Sequence, residues 1–342
     1  MNTLPLKPAI ELKNYLDLMI DVRADKIGNC PVCIDGISTI LQEIHTDLKE
    51  KAQGNIQKML ETYGVKSGFY NWKVGRYPVP IAKIKKILEM ECEICQKTNK
   101  EKEELYDRIF RKATFFRSFK TNVKIRVVKE LTPRLAYLLG VLYADGSLRD
   151  TWNTYQKEGR FRYEITITDE SKEHLENVRM LLDEEFNIKT NVKTVYNRWH
   201  RLLFYSGSLH RMLSKVFEMP IGYKKGKLKV PDIINNAPDE IKKYFIMGFF
   251  DGDGSCTKIK KQKKISPIIH VSQSDPKILI EIQNLLKNFE LDFKLHKKRR
   301  EKFVWYMLET KSKTTIKKYS QIIGFLHPDK KARLDWLVQR LD

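Results

Sequence analysis

Phe245–Cys256, FIMGFFDGDGSC, and a partial copy at Tyr137–Leu148, YLLGVLYADGSL, decide how this chain folds. Each reads as a short helix dense in Leu, Ile, Phe and Met, and a helix with no polar face has to be buried. Each ends in an Asp-Gly pair, Asp145-Gly146 and Asp253-Gly254, which sets a carboxylate at the C-terminal end of a buried helix. Unpaired carbonyls already make that end negative, so an acid is disfavoured there. Gly140 and Gly248 stand at matching places and let two such helices approach backbone to backbone. Side by side, the helices bring Asp145 and Asp253 together at one end, where two acids repel unless a cation lies between them. Mg²⁺ is the hard, oxygen-seeking ion that one or two carboxylates, water and a phosphate usually hold.

The residues after each motif also repeat. Asp253 follows Asp145 by 108 residues, and ITITDESKEHLENVRMLL from Ile165 aligns without a gap with IHVSQSDPKILIEIQNLL from Ile269. Each copy is an alternating strand, a polar turn and a helix of matching apolar spacing. Residues 131–235 and 236–342 thus read as two versions of one unit, ordered helix, hairpin, helix, hairpin, helix. Leu138–Gly146 (LLGVLYADG) and Ile246–Gly254 (IMGFFDGDG) resemble the LAGLIDADG motif of homing endonucleases. They keep its central glycine, its terminal Asp-Gly and its apolar face. They depart from it at Tyr143, where the motif has its first acid, and at Gly252, where it has Ala; the second copy keeps that first acid as Asp251.

The resemblance implies an α+β fold of two pseudo-symmetric αββαββα units, a saddle in which one chain acts as a pseudo-dimer. It implies that Asp145 and Asp253 hold Mg²⁺, with Mn²⁺ able to substitute. It also implies cleavage of a long asymmetric duplex site across the minor groove, leaving 3′ overhangs. A basic residue late in each unit is the family's counter-charge to the reacting phosphate. Lys224, 79 residues after Asp145, and Lys330, 77 after Asp253, answer to it, with Lys225, Lys227 and Lys331 as neighbouring alternatives. Asp169 and Gln273 hold equivalent places in the repeat, as solvent-positioning groups or as turn residues.

Charge agrees with a polyanionic partner. The 342 residues carry 64 Lys+Arg against 43 Asp+Glu, a formal net charge of +21, and such an excess favours nucleic acid. No apolar run has the length of a membrane span, and MNTLPLKPAI lacks a charged segment followed by an apolar one, so an intracellular location is expected. Met1 and the terminal Leu341-Asp342 do not supply the Cys or Ser start and His-Asn end of an intein, so splicing is not expected; the two units in one chain imply a freestanding monomer, with double-stranded DNA as its partner and no protein partner.

Residues 1–95 are expected to form a mostly α-helical DNA-binding domain, and 96–130 a basic linker that is partly helical to Ala113. A leading helix is expected over about 10–26. Two C-x-x-C pairs, Cys30/Cys33 and Cys92/Cys95, offer a four-thiolate structural Zn²⁺, with disulfides or free thiols as alternatives. Between them, helix to Thr62, a turn at Tyr63-Gly64, a short helix Lys66–Val74, a Gly75 turn and a helix from Ile81 resemble a helix-turn-helix. Its second helix would present Lys66, Ser67, Tyr70, Asn71, Lys73 and Arg76 to DNA, unless the segment is only a solvated helical bundle. Thr132-Pro133 starts the first motif helix as cap and first-turn proline.

Four basic hairpins complete the saddle. They carry Arg160 and Arg162; Lys258, Lys260, Lys261 and Lys263; Arg198 and Arg201; and Lys297, Lys298, Arg299 and Arg300. A β-ribbon fits the major groove, where alternate side chains reach base edges. A site-specific, Mg²⁺-dependent homing endonuclease is the reading these features favour. A non-cleaving regulator on the same fold, and an intron-RNA maturase, are the alternatives.

Overall fold

The computed structural model describes residues 10–11, 16–19, 32–51, 55–118, 123–153, 160–196, 198–261 and 264–341. Its N-terminal part begins with β1 (Val32–Asp35), α1 (Ser38–Lys51), α2 (Ile56–Thr62) and α3 (Lys66–Lys73). It continues with β2 (Val79–Pro80), α4 (Ile81–Ile94), α5 (Asn99–Lys112), β3 (Phe115–Ser118) and β4 (Ile125–Arg126). Helix α1 forms because Ile40, Leu41, Ile44 and Leu48 fall on one face at spacings of three and four, and all four are buried. Thr98 starts α5 with a capping box, its hydroxyl accepting from the Glu101 N–H while Glu101 accepts from the Thr98 N–H. The turns expected at Gly64 and Gly75 are present, with φ of +63° and +71°.

Residues 1–95 are mostly helical among the described residues, and two expectations for this part are corrected. Strands β2-β1-β3-β4 form an antiparallel sheet beside those helices. Residues 96–130 hold the expected helix as α5, but they are not a plain linker beyond it, since they supply two strands that extend the sheet. Their basic-aromatic run alternates, with Phe116 fully buried against the core and Arg117 ion-paired to Asp35. No helix spans 10–26 in the described residues, because Ile10 and Glu11 pair as a strand with Leu131 and Glu130, and Leu16–Met19 is one 3₁₀ turn. Met19 is buried, and its carbonyl accepts from Arg211 Nη1 at 3.3 Å.

The first repeat runs α6 (Pro133–Asp145), β5 (Gly146–Asn153), β6 (Arg160–Asp169), α7 (Lys172–Phe186), β7 (Lys193–Val195), β8 (Trp199–Tyr205) and α8 (Gly207–Arg211). Helix α8 continues into a π-helical turn, Met212–Val216, and the short α9 (Asp232–Asn235) leads to the second repeat. That repeat runs α10 (Asp239–Asp253), β9 (Gly254–Lys261), β10 (Lys264–Gln273), α11 (Lys277–Asn288), β11 (Lys294–Arg300), β12 (Phe303–Thr310), α12 (Lys313–Ile322) and α13 (Pro328–Val338). Both repeats follow the αββαββα order. Their sheets match strand for strand, β5-β6-β8-β7 and β9-β10-β12-β11, all antiparallel. One face of each sheet is covered by its own helices, which bury Ile165, Ile167 and Leu202 in the first and Ile269, Val271 and Leu308 in the second.

The motif helices α6 and α10 lie between the sheets. A Cβ placed on Gly140 would stand 2.2 Å from the Phe245 carbonyl oxygen, and one on Gly248 would stand 2.1 Å from the Tyr137 oxygen. The contact is reciprocal, as a pseudo-twofold interface requires. No side chain fits between the backbones there. Gly146 and Gly254 follow the helices in extended backbone, where a Cβ would lie 2.4 and 2.5 Å from the carbonyls of Leu142 and Phe250. Thr132 caps α6 through its hydroxyl, which accepts from the Leu135 N–H at 3.1 Å, with Pro133 in the first turn.

Candidate active site

Two helices that stop at the same level deliver their last residues to one place, and these are Asp145 and Asp253. Gly252 is required there, since a Cβ on it would be 2.3 Å from Ala144 Cβ and 2.8 Å from Asp145 Oδ2. Burial and the charge of Asp253 push the Asp145 carboxyl up to about 8. Burial likewise pushes Asp253 up to about 6, against the pull of Lys224 and Lys330. These are two hard oxygen donors held close without full compensation, a donor set that fits Mg²⁺ or Mn²⁺ and not a soft metal.

The two lysines chosen by their separation from the acids converge on this point from the unit tails. Lys224 Nζ donates to the carbonyls of Tyr143 and Ala144, 2.9 Å each, and of Leu142 at 3.4 Å. Lys330 Nζ donates to those of Phe250 at 3.3 Å, Gly252 at 2.6 Å and Asp251. Each ammonium therefore caps the negative end of a motif helix, satisfying carbonyls that the helix itself leaves open. Burial lowers Lys224 to about 8 although Asp253 and Asp145 favour its charge; Lys330 is lowered by burial too. A cleft of about 710 Å³ opens beside them and is lined by Lys224, Asp253, Gln273, Arg149 and Tyr223.

The remaining polar groups divide into two kinds. Gln273 Nε2 donates to Asp253 Oδ2, so it belongs to the site. Asp169 Oδ1 accepts the Ser171 N–H at 2.6 Å and faces His327 Nε2 at 3.4 Å, and its charge reaches Asp145. Asp251 is fully buried. Its Oδ2 accepts from Tyr137 Oη at 2.7 Å and from the N–H groups of Leu326 and His327 at 3.0 Å each, which makes it a structural acid. Its counterpart Tyr143 gives its hydroxyl hydrogen to the Phe217 carbonyl.

One pH dependence follows. Asp145 keeps in the folded chain a proton that the unfolded chain releases above about pH 4, so metal-free stability is lost as pH rises from there to about 8. In a series of thermal melts without divalent metal, Asp145→Asn is expected to lack this part of the pH slope. An unchanged slope would show that Asp145 ionises normally. His174, lowered to about 3 by burial, acts with the opposite sign, losing stability below its ordinary range in both proteins.

The open faces of the two sheets carry the predicted basic residues unevenly. In the first, the side of Arg162, Thr166, Thr168 and Arg201 lies opposite the buried Ile165 and Ile167. Arg162 packs over the Tyr205 ring at 5.2 Å, and Arg201 Nε is buried with no hydrogen-bond partner among the described residues. Arg198 is exposed beside that face and ion-paired to Glu170. Arg160 lies at the start of β6, paired with Asn153. In the second, Lys298 pairs across with Trp305 and Arg300 with Phe303 on the open side. Lys297 and Arg299 pair with Tyr306 and Val304 on the face of Leu308, so strand alternation turns them away from the open side. Lys258, Lys260 and Lys261 lie on β9, and Lys263 lies outside the described residues. Arg149, Tyr205 and Trp305 join the open faces and escaped the sequence reading. Period-two alternation through β5, β8 and β12 is the signal that finds them.

In the N-terminal part, Lys66, Ser67, Tyr70 and Arg76 are exposed, while Asn71 and Lys73 are half-buried. Lys66 pairs with Glu61, and Lys73 lies 5.0 Å from the Tyr70 ring and 3.4 Å from His45 Nδ1. Helix α3 is kinked by non-helical backbone at Ser67 and Gly68, so its regular turns begin only near Phe69. The four-thiolate expectation is not met among the described residues, where no group of three or more His, Cys, Asp or Glu stands ready for a metal ion. Cys33 is buried in β1, Cys92 and Cys95 are half-buried unpaired thiols at the end of α4, and Cys30 lies outside the described residues. Burial pushes the Cys95 thiol up to about 11.

Two αββαββα units joined through their motif helices, with paired acids and paired lysines at one end, define a tandem pseudo-symmetric α+β protein. Residues 132–216 and 240–324 each match the LAGLIDADG-like domain, and the chain belongs to that family, carrying its domain twice. The chain is 22% identical over 308 residues to the glutamine–fructose-6-phosphate aminotransferase of Methanocaldococcus jannaschii, covering 87% of this chain and 26% of that protein. It is 21% identical over 215 residues to that organism's DNA polymerase, covering 59% of this chain and 12% of that protein. The chain thus spans 26% of the length of the first of these relatives and 12% of the second. A solved structure of the homing endonuclease I-DmoI in complex with DNA and Ca is 20% identical, with a TM-score of 0.44 over 60% of this chain and 97% of that one. No helix among the described residues is long and apolar enough to cross a membrane.

Proposed function

We propose that this chain is a divalent-metal-dependent, site-specific DNA endonuclease that cuts both strands of a long asymmetric duplex. The meeting of Asp145 and Asp253 at the abutting ends of α6 and α10 carries the proposal. Those two carboxylates would hold Mg²⁺, which when bound activates water and stabilises the leaving 3′ oxygen. Each acid serves one strand. Lys224 and Lys330 keep positive charge at the scissile phosphates and neutralise the helix ends, so that a third and fourth negative group can enter. The open faces, with Arg149, Arg162 and Arg201 in one unit and Lys298 and Arg300 in the other, grip the duplex, and Tyr205, Trp305 and Phe303 add stacking and shape. The exposed basic side of α3 is proposed to lengthen the contact. Cutting across the minor groove to leave 3′ overhangs, monomeric action and a role in mobility of the encoding element are part of the same proposal.

Two measurements test it. Duplex binding without divalent metal should weaken by roughly 10³-fold or more between about 50 and about 200 mM salt, as six or more phosphates lose their contacts. A salt-independent affinity would remove the saddle. Adding Mg²⁺ to the bound duplex should then release two ends at one position, and chelator should prevent it. Binding with intact duplex in both Mg²⁺ and Mn²⁺ contradicts the endonuclease reading.

A further inference from the structure

The two half-sites are built differently. Lys224 and Gln273 share the open cleft with Asp253. Lys224 follows a turn at Gly222 (φ +75°), whose N–H donates to Leu148 O at 2.8 Å. At the other half-site a buried network reaches across the units. Tyr137, on α6, donates to Asp251 Oδ2, and the same oxygen anchors the Leu326 and His327 N–H groups. His327 precedes α13, whose first turn carries Lys330. The His327 ring returns to the first unit, with Nε2 3.4 Å from Asp169 Oδ1 and its plane stacked on His174 at 4.6 Å between centroids. Tyr137, Asp169, His174, Asp251 and His327 are all more than nine-tenths buried. In the first unit the equivalent tether is a single bond, Tyr143 to its own Phe217. Lys330 Nζ donates to the Gly252 carbonyl, and a Cβ on Gly252 would lie 2.8 Å from Asp145 Oδ2, so Lys330 stands beside Asp145; the charge of Asp169 also reaches Asp145.

We propose that Tyr137, Asp251 and His327 are positioning residues that brace Lys330 and Asp169 against Asp145, so that the strand served by Asp145 depends on a cross-unit network that the strand served by Asp253 does not use. This rests on the endonuclease reading given above. Asp251 Oδ2 takes three donors, so that oxygen is committed to the network. The brace fixes Lys330 from two sides: its own ammonium is bonded to the end of α10, and the chain three residues before it is bonded to Asp251. His327 adds the link to the first unit, so movement between the units is felt at Asp169 before it is felt at Gln273.

The test uses a duplex labelled separately on each strand, with Tyr137→Phe and His327→Gln beside the parent and Asp145→Asn. The strand still cut by Asp253→Asn and left uncut by Asp145→Asn should be cut about 10- to 100-fold more slowly by Tyr137→Phe and His327→Gln, as loss of a supporting partner typically gives. The other strand should change less than about twofold, and duplex affinity should be retained. Equal slowing of both strands, or of neither, overturns the proposal. Amide hydrogen exchange gives a readout independent of cutting. Leu326 and His327 should exchange faster in Tyr137→Phe while Gly222 and the helix interiors do not; unchanged exchange at Leu326 and His327 overturns the brace. A parent protein that cuts neither strand is a failure of the endonuclease reading, and the exchange result still decides the network.

Discussion

Asp253→Asn is expected to leave one strand of the bound duplex uncut, and Asp145→Asn the other, each slowed by roughly 10³-fold or more, about 4 kcal/mol in the barrier. The two substitutions keep size and remove charge, so each half-site loses an anionic oxygen that the metal would need. Both carboxyls are already pushed up, Asp145 to about 8 and Asp253 to about 6, by burial in the metal-free protein, so the amides relieve rather than add strain. The variants should therefore fold at least as well as the parent and bind DNA with the same salt dependence. Each should turn a double-strand cutter into a nickase of defined strand. Loss of both strands in either single variant would mean one shared catalytic centre instead of two.

The second large effect is on folding. Gly248→Ala places a methyl 2.1 Å from the Tyr137 carbonyl oxygen and 3.0 Å from Val141 N, both backbone atoms of the partner helix. Gly140→Ala does the same against Phe245 O and Phe249 N, at 2.2 and 2.7 Å. A side chain in the way can rotate; a packed helix backbone cannot. The helices must move apart along their whole contact, which costs at least about 3 kcal/mol, the upper end of ordinary overpacking. Denaturant unfolding should show either variant strongly destabilised or unfolded, and any folded remainder should cut poorly because Asp145 and Asp253 separate. An alanine at Gly222, where a Cβ meets nothing within 4 Å, is the control for the mere loss of a glycine; its positive φ makes it mildly costly but leaves the motif helices in place. Stability of Gly248→Ala equal to the parent would rule out the close helix pair.

The catalytic half was legible because it is written twice. A motif helix with no polar face, a glycine at its centre and an acid at its end each has several readings alone, but the repeat from Ile165 and from Ile269 fixed both the unit and its order. The same repeat selected Lys224 and Lys330 from many lysines, and both reach the helix ends. What the sequence did not carry was contact between units. Nothing in the spacing shows that His327 of one unit meets Asp169 of the other, since that pairing depends on how α6 and α10 pack. The hairpin residues were found as lysine-rich tips, yet alternation turns Lys297 and Arg299 to the opposite side from Lys298 and Arg300. The N-terminal part was the least legible. Val32–Asp35, Val79–Pro80, Phe115–Ser118 and Ile125–Arg126 are too short for a strand period to show, and far apart in the chain. The C-x-x-C spacing misled for the same reason: it fixes local chelation geometry, but burial of Cys33 in β1 decides what is near it.

The central claim is that two acids at the ends of two abutting helices, each serving one strand, break both strands of one site. Incubating the purified protein with a randomised duplex library in Mg²⁺, in Mn²⁺ and in chelator, and sequencing every new end, tests it most directly. The account predicts metal-dependent ends on both strands at one fixed stagger within a single enriched, nonpalindromic sequence. Enrichment of a bound sequence with no new ends in either metal would contradict it and leave a DNA-binding regulator on the same fold.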